Sequence, residues 1–399
     1  MKTSNSVSKK RIEYNTYIYT VAVMTMLARL LFIYSGLINT WVPGFVFLGM
    51  NLLFLFLLAY KIIFLQTYNK KNLFTIGIFL VILLISYSYT KYETLIYTAA
   101  AMIAMQNVDL KKVLSYTYKF RAVFIGIHTI AYAIVCKVNP GMIEFDYRFG
   151  DTTSRPRHNF LLGHANIAAM LISWTILEYM YVNYEKLNKK KIFALWLVNF
   201  IYYQFTNSNS SMIVVTVVSI FIILSKENKK IIDKIISGMS KYFFAFCSVV
   251  FPMLCVVYTS LSGPLLEAWN NLSYFFSGRL LYGACAYNIS GISWIGKRIT
   301  YINQKTYWNG NWFDGMVFDN TYILFFVSYG YIALLFLALL FIKSGKCTTK
   351  EDKIMLIACA VYTMMENYVL NSIFCFAIVI LGKVFFTKIN GGKNESAKG

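Results

Sequence analysis

Two short stretches carry the side chains best suited to chemistry. The first is Ser154–Asn166, Ser-Arg-Pro-Arg-His-Asn-Phe-Leu-Leu-Gly-His-Ala-Asn. Arg155 and Arg157 flank a proline, which favours extended backbone before it. Guanidinium forks offer several fixed donors and stay charged, so they suit phosphate oxygens. With a helix beginning near His158, His164 falls two turns beyond Arg157 on the same side. Its imidazole can relay a proton or donate to phosphate, and Asn166 adds an amide. The plainer alternative is that these residues anchor a helix end at the lipid headgroups.

The second stretch opens with Ser277-Gly278-Arg279 and closes with Asp319-Asn320-Thr321-Tyr322 and Gly330. Arg279 is a second phosphate-binding candidate, and the glycine before it lets a ligand approach. Asp319 is a candidate proton acceptor, with the alternative that it caps the helix that follows; Asp314 is its rival. Between the two motifs lie Arg298, Lys297 and Lys305, many amides, and four of the seven tryptophans, Trp269, Trp294, Trp308 and Trp312. Flat aromatic faces and amides suit sugar rings, although tryptophan also gathers at membrane interfaces without any ligand. Trp294, Arg298, Asn320 and Tyr322 are thus candidate substrate contacts, and the stretch reads as a cover over a lipid-linked, phosphorylated sugar.

The elements that must position these groups are helices in a bilayer. Of 399 residues, 58% are hydrophobic and 14% charged, and the mean hydropathy is +0.55. Apolar runs of about 20 residues repeat along the chain, which indicates an all-α polytopic membrane protein and excludes barrel strands. About twelve spans are expected (range ten to fourteen), near 15–39, 42–61, 73–90, 92–107, 118–137, 161–183, 192–206, 211–225, 242–260, 319–342, 354–368 and 369–388. A short amphipathic piece, Asp109–Tyr118, is expected to lie on the membrane surface. Residues 1–390 form one membrane domain with outer loops 138–160 and 261–318, and 391–399 read as a disordered tail.

The net charge of +21 clusters in short patches between apolar runs. That is the positive-inside pattern, not a nucleic-acid face, and it places both termini in the cytoplasm. Lys137, Arg148, Arg155, Arg157, Arg279, Lys297, Arg298 and Lys305 break the pattern, because they fall in the two outer loops. An external anionic ligand explains them most simply.

Among the remaining polar groups, Arg29 within the first span needs a partner, and Glu366 near the outer end of the eleventh is a candidate. His128 reads as a satisfied core histidine. Glu178 lies close enough to a cytoplasmic end to snorkel. The turn Thr206–Ser211 reads as a solvated hairpin. The seven cysteines contain no CxxC pair and suggest neither a disulfide framework nor a metal site. Phosphate-loop, DxD and HExxH motifs are missing, so no cofactor, ATP domain or metal is expected.

Taken together, Arg157…Gly163-His164-Ala165-Asn166, Ser277-Gly278-Arg279 and Asp319-Asn320-x-Tyr322…Gly330 on this span layout resemble the Wzy-type O-antigen or capsular polysaccharide polymerases. Ala165 stands where that family usually has proline, the Gly–His spacing is one residue tighter, and the Thr206–Ser211 turn lacks the family's frequent arginine. The resemblance implies a metal-independent glycosyltransferase of the bacterial plasma membrane. It would join undecaprenyl-diphosphate-linked repeat units at the outer face, with a chain-length regulator and a flippase as possible partners. It also implies Arg157 and Arg279 on the diphosphate with Arg155 in support, and His164 or Asp319 in proton transfer. An O-antigen-ligase-like transferase shares this layout and differs in its acceptor. A non-enzymatic lipid-linked oligosaccharide flippase is the alternative of a different class, and it would carry its cations in a central cavity.

Overall fold

The computed structural model describes residues 2–139, 141, 145, 156–227, 229–276, 278–299, 305–308, 311–314 and 318–386. Helices dominate: α1 (Lys2–Tyr34), α2 (Gly44–Tyr60, continued by a π turn Lys61–Leu65), α3 (Lys70–Thr90), α4 (Thr94–Ile103) and α5 (Leu110–Val138). There follow α6 (Ala165–Val182), α7 (Lys189–Thr206), α8 (Asn209–Ser225), α9 (Lys230–Tyr258), α10 (Gly263–Phe275) and α11 (Arg279–Ser290). A small antiparallel ribbon, β1 (Lys305–Trp308) with β2 (Asn311–Asp314), sets Lys305 opposite Asp314. The chain ends with α12 (Thr321–Leu324, continued by a π turn Phe325–Tyr329), α13 (Tyr331–Ser344), α14 (Lys350–Thr363) and a 3-10 helix Phe376–Phe386.

Among the described residues, six helices are long and apolar enough to cross a bilayer: Lys9–Tyr34, Gly44–Leu65, Lys70–Thr90, Leu110–Val138, Ala165–Val182 and Lys230–Tyr258. Four further apolar helices are shorter, so these measures support six crossings and not the expected twelve. Such apolar helices mark a membrane protein. Two sequence boundaries move. Asp109–Tyr118 is not a separate surface piece, because Asp109 caps a single helix that runs on to Val138, accepting from the Lys112 amide at 3.1 Å. The expected tenth span is interrupted at Gly330, where the π turn ends and α13 starts.

Burial follows helical period. On α5, Arg121, Phe124, Ile125, His128 and Tyr132 are buried, while Val123, Ile127, Ile130 and Ile134 are exposed. The exposed stripe is apolar, which suits a surface facing lipid and not water. α6 is the exception to one-sided burial, with 83% of its residues inside the protein against 22–44% for the other five. It is the central post, packed by α5, α7, α8 and α14.

Two buried ionic contacts hold one end of this post. Glu178 does not snorkel: its carboxylate is 1% exposed and pairs with Arg121 at 3.1 Å while accepting from the Thr117 hydroxyl at 3.0 Å. Arg121 also donates to the Ile373 carbonyl at 2.9 Å. On α14, the buried Asp352 accepts from Lys383 at 2.6 Å and from the Tyr181 hydroxyl at 2.8 Å. Removing one member of a buried pair strands the other charge. Arg121→Leu alone is therefore expected to cost about 3–5 kcal/mol, and adding Glu178→Leu should recover most of it. Thermal unfolding of the two variants in detergent compares them directly.

Candidate active site

The approach to α6 is a turn, not the helix expected from His158. Asn159 accepts from the Leu161 amide at 3.0 Å and donates to the Gly163 carbonyl at 3.0 Å, while Phe160 and Leu161 adopt positive φ. The helix starts only at Ala165. His164 is its N-cap, with ring Nδ1 accepting from the Asn166 amide at 3.1 Å. Arg157 and His164 are thus not stacked on one helix face. Instead Arg157, 5% exposed, folds back over the turn. Its Nη2 donates to Asn166 Oδ1, and its Nε donates to the Thr206 carbonyl at 2.8 Å. His158 anchors the segment by its amide bond to the Phe205 carbonyl (3.0 Å) and its ring contact with the Tyr132 hydroxyl (2.6 Å).

The Thr206–Ser211 turn, expected to be a solvated hairpin, exposes Asn209 but turns its hydroxyl residues into the protein. Thr206, Ser208, Ser210 and Ser211 are all buried. Burial costs polar groups unless they find partners. Ser210 finds Glu366, donating to Oε1 at 2.7 Å, and Ser211 accepts from Ser173 of α6 at 3.3 Å.

Arg279 enters from the other side as the first residue of α11. Gly278 before it has φ +81°, a left-handed turn that a Cβ would strain, so its role is in the backbone. Nη2 of Arg279 lies 3.1 Å from Asp319 Oδ2 and 3.5 Å from Glu366 Oε1, and Nη1 donates to the Phe276 carbonyl at 3.2 Å. Gly283, one turn on, fixes where this helix sits. A Cβ there would lie 2.6 Å from Cys255 Sγ and 2.7 Å from Ile323 Cγ2.

Asp319 is not the cap of α12. Asn320 is, accepting from the Ile323 amide at 3.1 Å and donating to the Met364 carbonyl at 2.7 Å. That leaves the Asp319 carboxylate to Arg279. Thr321 donates to the Glu366 carbonyl at 2.8 Å, and Asn367 to the Phe318 carbonyl at 3.2 Å. These bonds stitch the start of α12 to the 364–367 turn.

Glu366 is the centre of the arrangement. α14 ends at Thr363, so Glu366 lies in the turn beyond it and not within a span. Its side chain is 2% exposed. Burial pushes its carboxyl above the ordinary range and the charge of Asp319 adds to that, while Arg279, the Ser210 hydroxyl and Arg157 pull it back. Among the described residues, its Oε2 and the Nε of Arg279 are buried without a hydrogen-bond partner. Five segments distant in sequence thus bring two guanidiniums, two carboxylates and a serine into one neighbourhood.

No family model, curated protein or solved structure matches the chain. The site is therefore read from its own chemistry. Among the described residues no group of three or more His, Cys, Asp and Glu is gathered as a metal would require.

Other expected site residues are placed differently. Tyr322 is fully buried, with its hydroxyl donating to the Ala360 carbonyl at 3.0 Å and its ring stacked on Phe251, a core role. Trp294 and Arg298 are exposed on the 292–299 segment, and no contact joins them to the cluster among the described residues. Trp269 ties α10 to α9 through the Leu254 carbonyl at 3.4 Å. Arg155 and Ser277 fall outside the described residues, as do the side chains of Trp308, Trp312 and Asp314. Arg29 meets the Phe47 carbonyl at 3.2 Å, and its expected partner Glu366 serves Arg279 instead. His128 is a buried core residue, but only half satisfied: Nε2 lies 3.0 Å from Ser35 Oγ, while Nδ1 has no hydrogen-bond partner among the described residues.

Glu366 and Ser210 are the members that sequence reasoning did not assign to the site. The signal was a lone carboxylate with Asn367 and Asn371 in an otherwise apolar run. The close packing at Gly283 yields a test of how Arg279 is positioned. Gly283→Ala is expected to cost about 1–3 kcal/mol through overpacking, with activity falling alongside. Cys255→Ala removes one of the two clashes and should restore part of both, as read by thermal unfolding and by an activity measurement.

Proposed function

We propose that this chain transfers a glycan from a polyprenyl-diphosphate carrier onto a sugar hydroxyl, as a polysaccharide polymerase of the Wzy type. The observation that supports it is Arg279 in contact with both Asp319 and the buried Glu366, with Arg157, over a hundred residues earlier, near enough for its charge to act on the same Glu366 carboxyl. Their combined positive charge suits a diphosphate leaving group. The two unpartnered atoms, Arg279 Nε and Glu366 Oε2, give the cluster hydrogen-bonding capacity that its own residues leave unused.

In this reading the acceptor hydroxyl attacks the anomeric carbon of the growing chain. The new bond is oxygen to carbon, and the bond broken joins that carbon to the diphosphate. Undecaprenyl diphosphate departs with the bonding pair, stabilised by Arg279 and Arg157, with Arg155 in support. The hydroxyl proton passes to a carboxylate of the Glu366–Asp319 pair. Ser210 and the Asn320 clamp hold that pair in place. His164, whose Nδ1 caps α6, sets the start of the helix from which Asn166 receives Arg157. Donor activation resides in the diphosphate, so no other energy source is needed.

The cluster lies at the end of the bundle where α1, α5, α7, α9 and α14 finish. With both termini cytoplasmic, as the lysine and arginine distribution favours, that end faces outward from a bacterial plasma membrane. The four shorter apolar helices and α7 and α14 then complete about twelve spans as tilted or partial crossings.

Purified protein given a lipid-linked repeat unit should yield a ladder of products. Arg279→Ala is expected to lower the rate roughly 100- to 1,000-fold, and a normal ladder from that variant would remove the electrostatic assignment. A single addition to a different acceptor, with no ladder, would instead indicate ligase-like transfer.

A pH profile tests the proton acceptor. A carboxyl with a raised pKa is protonated, and so unable to accept, below that pKa. Activity should therefore fall on the acid side at a higher pH than an ordinary carboxylate would give. Glu366→Gln should abolish that limb together with most of the rate.

A further inference from the structure

A cavity of about 210 Å³ lies beside the cluster, beginning at Asn367, the residue after Glu366. Its wall includes Tyr34, Thr94, Tyr329, Asn367, Tyr368 and Asn371, with Phe374 beneath Tyr34 at a ring separation of 5.8 Å. The elements are separate: Tyr34 ends α1, Thr94 starts α4, Tyr329 closes the π turn before α13, and the asparagines follow α14. The shape is therefore a product of the tertiary fold and not of one flexible loop.

The lining is uncharged, unlike the neighbouring arginine and carboxylate cluster. A phosphate or diphosphate would find no cation here. A lipid chain would find too many polar groups. Among the described residues, no hydrogen bond occupies the hydroxyls of Tyr34, Thr94, Tyr329 or Tyr368. Asn371 accepts from the Ile373 amide through its oxygen at 3.0 Å and keeps its amide donors uncommitted. Asn367 donates to the Phe318 carbonyl and keeps its oxygen. The wall thus offers aromatic faces with both donors and acceptors at their edges. A pyranose ring has the complementary surface, with C–H faces and hydroxyls around its rim. The space for bound atoms is about 210 Å³. It is smaller than the ~300–1,000 Å³ of a drug-sized pocket, so it suits a single ring and not an extended chain.

We propose that this cavity is a subsite for one neutral sugar ring, which it holds next to the reactive cluster. Its place in the reaction rests on the transfer reading above, as the residue nearest the anomeric carbon or the attacking hydroxyl. The binding itself does not depend on that reading. The cavity supplies position and selectivity, while the charge work stays with Arg157, Arg279, Asp319 and Glu366.

The test uses the full chain in detergent or nanodiscs and two classes of probe. The first is a set of methyl hexopyranosides and N-acetylhexosaminides that carry no phosphate. The second is undecaprenyl diphosphate with no sugar. Saturation-transfer NMR should show at least one glycoside bound to the wild-type protein. Asn371→Leu should weaken it at least tenfold, and so should Thr94→Trp, which fills the cavity from a different element. Arg279→Ala should leave glycoside binding intact and weaken undecaprenyl diphosphate instead. The proposal is overturned if no glycoside binds the wild-type protein, if both cavity variants bind it as well, or if Arg279→Ala removes it equally. Failure of the diphosphate arm alone would count against the transfer reading and leave the sugar subsite standing.

Discussion

The arrangement at the site end depends on one buried carboxylate. Glu366 is almost without solvent, and a charge in that position is tolerated only where partners surround it. Its carboxylate is met by Ser210 of the α7–α8 turn and by Arg279 at the start of α11, with Arg157 from the approach to α6 adding its charge, while Thr321 at the start of α12 binds the residue's backbone carbonyl. Each of these segments is a connection between helices. A single group that all four must reach gives them one common geometry, which apolar contact alone does not specify because it is nondirectional.

This dependence also explains why some of the site could be read from sequence and some could not. Arg157 and Asn166 are nine residues apart in one motif, so the sequence grouped them, although it set His164 and not Asn166 against Arg157. The cap of α12 was misplaced by one residue, on Asp319 instead of Asn320, because either side chain can accept from the first amides of a helix. The pairing of Glu366 with Arg279 spans 87 residues and that with Ser210 spans 156. Nothing in the intervening sequence encodes such a separation, so charge alone suggested Arg29 as a partner. The serine turn was misjudged for a related reason. Small polar residues between two helices look the same whether they face water or a buried acid, and only the packing of α6 against α8 decides which.

The helices were more legible than the turns that join them. Apolar length marks spans because bilayer thickness sets it. Depth within the bundle is less visible, since a helix buried on all sides and one facing lipid are both apolar. α6 shows the difficulty. It has the lowest hydropathy of the six long helices at 1.2, yet it is the most enclosed. Its enclosure let it carry Ser173 and Glu178 inward, where neighbouring helices supply partners. The same ambiguity led Glu178 to be read as snorkelling, although Arg121 from α5 was available to bury it.

α6 then links the two ionic layers of the protein. Asn166, in its first turn, receives Arg157, and Glu178 lies twelve residues later at the Arg121 pair, about 18 Å along the axis. Between them the helix is apolar and close-packed apart from Ser173, whose hydroxyl lies within reach of both the Met170 carbonyl and Ser211 of α8, and Thr175, whose hydroxyl returns to the Leu171 carbonyl. A rod tied by directional bonds at both ends and by packing in the middle has little freedom to rotate or slide. That rigidity bears on the chemistry proposed for the other end. A diphosphate gains from guanidiniums only if they are held where charge develops, since reorienting them at the moment of reaction would forfeit the benefit. Arg157 is held in that way by Asn166 and by the Thr206 carbonyl, both of them fixed through α6 and its neighbours. Arg279 is held by the close approach at Gly283. The two cations are therefore set by packing before any substrate arrives, and the ion pair with Asp319 keeps the second of them in place until one does.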